Sequence, residues 1–565
     1  MPGLGENGAD SANSGSVRLS LVGILSVFAF MFVAVAVGLR IQTGVDLADE
    51  SFYASFLVDW IREGIPNSTL ITITQTAAVF VYPFALGFRL LNGSADGLVL
   101  FSRFLYLACS IATAALVALS LRHGLKISAL FYASIVVAFV PFGLPAPSYN
   151  NFALQGLLVC CVVLSSCGNE TGHRRLLWIL LAGTAGAIAT ISYPSMLVPI
   201  AACLALGIWL RLIDARSVVA VVVPFIVVTG IVIAALSLRR LDLMIADGLT
   251  SPGGLDAGHR LFRIFGQLSA DPRFLFICSS AIVVGVVRGR LSGAILAVAQ
   301  GILMVEILLI PPPLFIASHV AVFVIALTGL GLAANLRLSV DPTRRAVAII
   351  YAAGLIGGCV TTMTTSENGL FSFAIGGLPA ALAALMPNDF RFVGRPSALV
   401  APVCFLIVVL TTSLTFHYGE VGTTTARERI KTGWYAGIAS SPEEAQIISV
   451  STNALRPFGP RCSIAVVGWP VFYLTSPCVP RVLMAYPIND QAQHAVFQST
   501  LRYYSDPKNL PEYVVEYDDR NAQFEFPFPD LHHFPDWYRL EQTYAMPFDG
   551  IMRVYKQRSQ DERSP

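Results

Sequence analysis

Long apolar runs alternate with short polar breaks from residue 19 to residue 415, and then the pattern stops. Runs near 19–41, 99–121, 127–143, 152–167, 176–192, 195–211, 217–237, 273–287, 292–310, 318–335, 346–362, 370–386 and 397–415 are long enough, or nearly so, to cross a bilayer as helices. The shorter ones need an extra turn in the interface, so their ends are soft. The pattern predicts thirteen transmembrane helices, and an odd number puts the termini on opposite sides. Loop charge orients them, because short cytoplasmic loops collect Lys and Arg. Arg18, Arg122, Lys126, Arg174, Arg175, Arg211, Arg216, Arg288, Arg290, Arg337, Arg344, Arg345, Arg391 and Arg395 all fall on one side of this alternation. The short loops 143–151, 193–194, 311–317 and 363–369 contain neither residue type. The N-terminus is therefore expected in the cytoplasm and the C-terminal region outside.

Two of the outer loops are long. The first, 42–98, opens with Asp46-Leu-Ala-Asp49-Glu50-Ser-Phe-Tyr53-Ala54 and closes with an amphipathic run from Thr74 to Leu91. That run predicts a helix lying on the membrane surface, since Gln75, Tyr82, Pro83 and Arg89 interrupt it. The second, 238–272, breaks the charge rule with Arg239, Arg240, His259, Arg260 and Arg263. Arg260 and Arg263 are one turn apart and share a helix face. They are expected either to pair with Asp242, Asp247, Asp256 and Asp271 or to hold an anion, phosphate being the natural partner of forked guanidinium groups.

Residues 416–565 lack any run long enough to span. Ser463–Val467, Arg481–Ala485, Tyr513–Tyr517 and Ile551–Tyr555 read as strands, and Pro442–Ala454 and Asp490–Tyr504 as helices. The domain organisation read here is a disordered cytoplasmic stretch 1–18, a transmembrane domain 19–415, and a small extracytoplasmic α/β domain 416–565 docked on the outer face. The aromatic run Phe524 to Trp537 either lines a ligand groove there or packs against the membrane part.

Composition agrees. Of 565 residues, 55% are hydrophobic and 13% charged, and the mean hydropathy is +0.67. Soluble domains average about 25% charged residues, so this is an all-α polytopic membrane protein with a small C-terminal α/β domain. A net charge of +2 without a basic run gives no reason to expect nucleic acid. Of ten cysteines, eight lie in or beside apolar runs as small buried hydrophobes, and none shows metal-ligand spacing. Cys462 and Cys478 stand alone in the outer domain and predict a disulfide.

Carboxylates near hydrocarbon are expensive, so Asp46, Asp49 and Glu50 at a membrane edge point to a working site, the alternative being a solvated turn. The topology puts them on the same side as Arg103, Ser148-Tyr149-Asn150-Asn151, Ser192-Tyr193-Pro194-Ser195, Glu306, His319, Ser366-Glu367-Asn368, His417-Tyr418 and the arginine-rich loop. Tyr149 and Asn150 either cap the following helix or, with Tyr53, contact substrate. Carboxylates can deprotonate an acceptor hydroxyl and arginines can stabilise a departing phosphate, which is the chemistry of glycosyl transfer from a lipid phosphate.

An N-terminal helix followed by Asp49-Glu50-Ser-Phe-Tyr53-Ala54, interfacial helices, and Arg103 opening the second span resembles the GT-C glycosyltransferases. Those nearest in style are the lipid A aminoarabinose transferase, the protein O-mannosyltransferases and the lipopolysaccharide galacturonosyltransferase-like proteins. The resemblance covers about the first 200 residues. It implies a GT-C-like multi-pass protein of a bacterial inner membrane that takes a polyprenyl-phosphate sugar donor and a glycan, lipid or protein acceptor. It implies Asp49 as the family's first-loop acid, acting as base or as ligand to a divalent cation (Mg or Mn), with Asp46 or Glu50 assisting. Arg103, Arg260, Arg263 and His259 are then expected at the donor phosphate. Thr74-Gln75-Thr76-Ala77-Ala78 stands where such proteins often carry a charged or His/Lys-Pro-Pro element, so a second charged contact is missing or supplied elsewhere. The other readings are a transporter or flippase of lipid-linked sugars, and a non-catalytic glycan-binding relative. Polar groups gathered on one face, without inverted repeats, speak against the first.

Overall fold

The computed structural model describes residues 21–70, 72, 76–237, 241–242, 244–246, 257–310, 317–333, 341–364, 368–387, 395–416, 427–486, 495–518 and 534–559. Each of the thirteen predicted apolar segments contains a helix. By length and composition eight helical stretches can cross a membrane, one of them the near-continuous Leu98–Ala138. Helices at 194–209, 293–309, 317–327 and 369–385 are apolar but shorter than a full crossing, so the count of thirteen crossings does not follow from helix length alone.

The helices that carry the argument are α1 (Leu21–Arg40), α2 (Asp49–Glu63), α3 (Ala78–Asn92), α4 (Leu98–Leu125), α5 (Ala129–Ala138), α6 (Tyr149–Ser166), α7 (Gly172–Ser192), α8 (Leu197–Trp209) and α9 (Ala215–Leu236). They are followed by α10 (Ala257–Ser269), α11 (Pro272–Val287), α12 (Gly293–Leu309), α13 (Ala317–Leu327), α14 (Pro342–Thr364), α15 (Phe373–Leu385) and α16 (Val400–Thr415). Helix α6 is the hub, with 83% of its apolar window buried, whereas α9 is peripheral at 11%. Small residues set these contacts. A Cβ on Gly156 of α6 would lie 2.5 Å from the Ala185 carbonyl oxygen of α7. One on Gly376 of α15 would lie 2.2 Å from the Gly357 carbonyl carbon of α14. Within a bilayer, where helices associate by packing and not by leaving water, such stripes let backbones meet. Gly376→Ala is expected to force α14 and α15 apart at about 1–3 kcal/mol. It should lower the thermal midpoint in detergent; an unchanged midpoint would contradict this packing.

One set of helix ends is tied by a buried cation. Arg40, the last residue of α1, donates to the carbonyls of Ser413 (3.1 Å), Gly143 (3.3 Å), Phe416 (3.0 Å) and Thr43 (3.0 Å). Carbonyls left over at helix ends and tight turns are satisfied by one side chain. The run from Thr74 is helical from Ala78 onward, with Pro83 inside α3.

The C-terminal region forms a five-stranded sheet in the order β4-β3-β5-β7-β6. Its strands are β3 (Ser463–Val467), β4 (Val479–Pro480), β5 (Tyr513–Asp518), β6 (Tyr538–Ala545) and β7 (Ile551–Gln557), after a small pair β1 (Glu428–Arg429) and β2 (Ala439–Ser440). One prediction is corrected, and one strand was not predicted. Arg481–Ala485 is not a strand; the strand there is the shorter β4, and the last bond to β3 runs from the Arg481 N–H to the Ile464 carbonyl (2.8 Å). The exposed edge strand β6 escaped notice because Arg539, Glu541 and Gln542 interrupt its alternation. The helix expected at 490–504 is seen from Ala495, its earlier part lying outside the described residues. The Pro442–Leu455 helix begins as predicted, Ser441 Oγ accepting the Glu444 N–H at 3.3 Å. Cys462 and Cys478 form a disulfide just before β3 and β4, whose paired starts are Ser463 and Val479.

Candidate functional site

The three carboxylates after α1 meet three different environments. Asp46 is 3% exposed. It accepts the backbone N–H groups of Ala48 (2.8 Å), Asp49 (3.1 Å) and Glu50 (3.0 Å), which fastens the N-terminus of α2. Glu50 is 2% exposed and forms a forked ion pair with Arg103, at 2.6 and 2.5 Å. Asp49 opens α2 and is half-buried.

Arg103 also donates to the carbonyls of Ile41 (2.9 Å), Thr43 (3.1 Å) and Gly44 (2.7 Å). Its five N–H donors are thereby used. The expectation that Arg103 holds the donor phosphate is corrected on this ground: it knots the loop between α1 and α2. Glu50 and Asp46, expected as catalytic or auxiliary acids, have both carboxylate oxygens engaged and serve the same frame.

The C-terminal domain closes the rear of this frame. Tyr435, fully buried, shares a 2.5 Å hydrogen bond with Ser51 Oγ, and burial pushes its phenol well up, keeping it a neutral hydroxyl. Gly44 N–H donates to Ala439 O (2.8 Å) and Ala439 N–H to Gln42 O (2.9 Å). Gly97 and Val99 N–H donate to the carbonyls of Gly433 (2.9 Å) and Trp434 (3.0 Å). Arg62 of α2 donates to the carbonyls of Ser476 (2.7 Å) and Cys478, and burial draws its pKa down to about 10, so it stays charged at neutral pH. A narrow apolar slot runs among α2, α3 and α4, with Trp434 and Pro147 as walls and Glu50, Tyr53 and Ser102 as its polar lining.

Burial lifts the Asp46 carboxyl well above the usual carboxylate range, the charges of Asp49 and Glu50 adding to it and backbone N–H bonds opposing it. The unfolded value is about 3.9. Between that value and the raised one the native state holds more protons than the unfolded chain, so stability must fall as pH rises through the window. The thermal midpoint of wild type should therefore rise relative to that of Asp46→Asn on acidification towards about pH 4. Parallel curves would contradict the shift.

In front of the acids stands a row of tyrosines. Tyr53 of α2 meets Tyr149 edge-on at 6.0 Å, and Tyr149 stacks on Tyr193 at 5.7 Å. The Asp49 charge bears on the Tyr149 phenol. Thr364 Oγ1 lies 3.2 Å from Tyr193 Oη and 3.1 Å from Ser195 Oγ. Burial pushes the Tyr193 phenol up to about 12, with the Thr364 hydroxyl and Arg260 acting the other way. Arg260 of α10 is itself 9% exposed. The fold thus brings Asp49, Tyr53, Tyr149, Tyr193 and Arg260 into one row built from α2, α6, the α7–α8 turn and α10. Next to Tyr149, Asn150 adds a buried side-chain oxygen with no hydrogen-bond partner among the described residues.

Among the described residues, His319 and Glu306 do not join the row. His319 is buried, its Nε2 accepting the Phe142 N–H (3.2 Å) between the rings of Phe139 and Phe142. Glu306 faces outward. Arg263 is half-buried on α10. The side chain of His259 and residues Arg239, Arg240, Ser366, Glu367, His417, Tyr418 and 524–533 lie outside the described residues. Tyr193 had a signal in the sequence, a tyrosine-proline turn between two apolar runs, whereas Trp434 and Tyr435 had none.

A divalent cation on Asp49 is the cofactor implied by the resemblance. Among the described residues no three His, Cys, Asp or Glu side chains gather as a ligand group. With the oxygens of Asp46 and Glu50 engaged, Asp49 is the carboxylate of the acidic stretch that would hold such a cation, the remaining ligands coming from substrate phosphate and water.

No protein-family model matches the chain, and no curated protein matches it. Solved structures do. The chain is similar to ArnT from Cupriavidus metallidurans bound to undecaprenyl phosphate, with 13% identity and a TM-score of 0.44 over 96% of this chain and 99% of that one. The apo state of the same protein gives 14%, 0.45, 95% and 99%. The archaeal oligosaccharyltransferase AglB from Archaeoglobus fulgidus, in complex with an inhibitory peptide and a dolichol-phosphate, gives 11%, 0.43, 94% and 74%.

Proposed function

We propose that this chain is a membrane glycosyltransferase of GT-C type. It moves a sugar from a polyprenyl-phosphate donor to a cell-envelope glycan, lipid or protein acceptor on the extracytoplasmic face of a bacterial inner membrane. The observation that carries the reading is Asp49: a half-exposed carboxylate on a helix end held rigid by Asp46 and by the Glu50–Arg103 pair. It faces a tyrosine row that ends at a buried arginine. Apart from that row, the apolar slot beside it suits a substrate with a lipid portion.

In this reading Asp49 takes the proton of the acceptor hydroxyl as its oxygen attacks the anomeric carbon. The bond from that carbon to the phosphate oxygen breaks, and the electron pair leaves on the lipid phosphate. Arg260, with Arg263 beside it on α10, offsets the charge that develops there. Tyr53 and Tyr149 present ring surfaces to the sugar, and Asn150 offers an oxygen to a sugar hydroxyl. The test is transfer of labelled sugar from a polyprenyl-phosphate donor by the purified protein in lipid nanodiscs, wild type against Asp49→Asn. No wild-type transfer from any such donor, or full transfer by the variant, removes the assignment.

A further inference from the structure

A second cavity, of about 250 Å³, opens among three helices at the other end of the bundle from the acidic stretch. Its walls are the first turns of α12, the end of α15 and the turn Pro396–Leu399 that leads into α16. The far end of α16 is the one that Arg40 holds through the Ser413 and Phe416 carbonyls, so the length of that helix separates the two sites. Pockets for drug-sized ligands run to about 300–1,000 Å³, so a smaller group matches this one.

The polar groups around it are unbalanced. The end of α15 presents carbonyls, but buried side chains already meet them: Arg288 donates to Ala384 O and Met386 O (both 2.7 Å), and Tyr132 to Leu385 O (3.1 Å). The start of α12 is the opposite case. Ser292 Oγ accepts the Ile295 N–H at 3.3 Å, whereas the N–H groups of Gly293 and Ala294 have no acceptor among the described residues. A Cβ built on Gly293 meets nothing within 4 Å. Donors at a helix start that face open space, with Arg395 and Ser397 on the facing wall, favour an anion. The floor carries a second, independent signal. Gln300, 2% exposed, donates its Nε2 to Thr328 Oγ1 (2.7 Å) and Ala384 O (2.9 Å), and its Oε1 has no hydrogen-bond partner among the described residues. Seven residues below Gly293, it lies about 10 Å deeper at 1.5 Å per residue. A buried acceptor left open on a cavity floor calls for a donor. Arg288 shares the Ala384 carbonyl with Gln300, so a fixed positive charge stands behind that floor. A neutral hydroxyl suits it, and an ammonium is repelled.

We propose that this cavity binds a phosphate ester whose alcohol part carries a hydroxyl. The phosphate sits at the mouth, on the Gly293 and Ala294 amides, Ser397 and Arg395. The alcohol part lies between Leu296, Ala297 and Leu385, and its hydroxyl donates to Gln300 Oε1. The phosphoglycerol headgroup of a phospholipid has this chemistry, and so has free glycerol phosphate. Ile295, Val298 and Ile302 of α12, and Val403 and Ile407 of α16, are the exposed apolar residues of these helices. At 3.6 residues per turn they face away from the cavity-lining positions, so the ligand enters at the helix ends and not sideways from hydrocarbon. Nothing in this assignment depends on the glycosyl-transfer reading.

The experiment has two arms, both on the full-length protein in detergent. In the first, thermal midpoints are followed against glycerol phosphate, phosphoethanolamine and inorganic phosphate. In the second, the protein takes up an equimolar mixture of phosphatidylglycerol and phosphatidylethanolamine, and mass spectrometry counts the lipids that stay bound. A saturable midpoint rise with glycerol phosphate alone supports the site with a soluble ligand. Retention of phosphatidylglycerol over phosphatidylethanolamine by about tenfold, equivalent to about 1.4 kcal/mol, supports it with a lipid headgroup. Either signal should fall to background in Gly293→Asp, whose carboxylate takes the anion's place and is itself favourable at a helix start. Arg395→Gln, at an exposed residue, should weaken the same signal with the ligand-free midpoint unchanged, and it decides the matter if Gly293→Asp does not fold. Undiminished binding by both variants, or no binding in either arm, overturns the site. Equal binding of the ethanolamine compounds, or of inorganic phosphate, overturns the hydroxyl contact at Gln300.

Discussion

Arg103→Ala is expected to cost the folded protein about 3–5 kcal/mol, more than any other single truncation in the outer frame. The substitution leaves the Glu50 carboxylate, 2% exposed, without the forked partner that lies at 2.5 Å. It also strips donors from the carbonyls of Ile41, Thr43 and Gly44. A carboxylate in that position must pick up a proton, gather water or open the structure, and each route has a cost. Glu50→Ala leaves Arg103 buried but still bonded to those three carbonyls, so its loss should be smaller. The double variant removes both charges and should cost less than the sum of the two single changes. Thermal midpoints of the four proteins in one detergent check this. Simple additivity would mean that the pair is not coupled.

Asp49→Asn is expected to lower transfer by about 10²–10⁴-fold, the usual contribution of a positioned general base. The fold should survive, because the helix end is secured by Asp46 through three backbone N–H groups and not by Asp49. The charge lost at the first turn of α2 is worth about 0.3–1 kcal/mol. The loss should appear in turnover at saturating donor and acceptor, with KM little altered, since an amide of the same shape keeps the contacts of the ground state. Turnover within a few-fold of wild type, at an unchanged thermal midpoint, would take the base role away from Asp49. Asp46→Asn, by contrast, should act mainly through stability.

Much of the architecture was legible because apolar length and loop charge are local properties. Every predicted apolar run holds a helix, and the pairing of Cys462 with Cys478 followed from two cysteines outside the apolar segments. Single residues were less legible. Asp46, Asp49 and Glu50 are equivalent as a string, and Arg103 is an arginine at the start of a span, a fair candidate for phosphate. Nothing in the local pattern says that Glu50 and Arg103, 53 residues apart, meet, or that Ser51 bonds Tyr435 across 384 residues. Strand β6 was missed for a related reason: an edge strand has one covered side, so charged residues can occupy it without cost and the alternation that marks a strand is lost.

By itself the sequence determined that this is a multi-pass helical membrane protein, with an acidic stretch after the first helix and a later loop rich in arginine. Those features are set by hydropathy and by charge counted along the chain. The tertiary structure decided the rest, because a buried charge is defined by what surrounds it. Three neighbouring acids became a cap, half of an ion pair and a half-exposed carboxylate, and an arginine expected at a phosphate became a knot of backbone carbonyls. Tyrosines from separate helices became a row, and buried Arg260 and half-buried Arg263 of α10 were told apart by packing that no window of sequence contains.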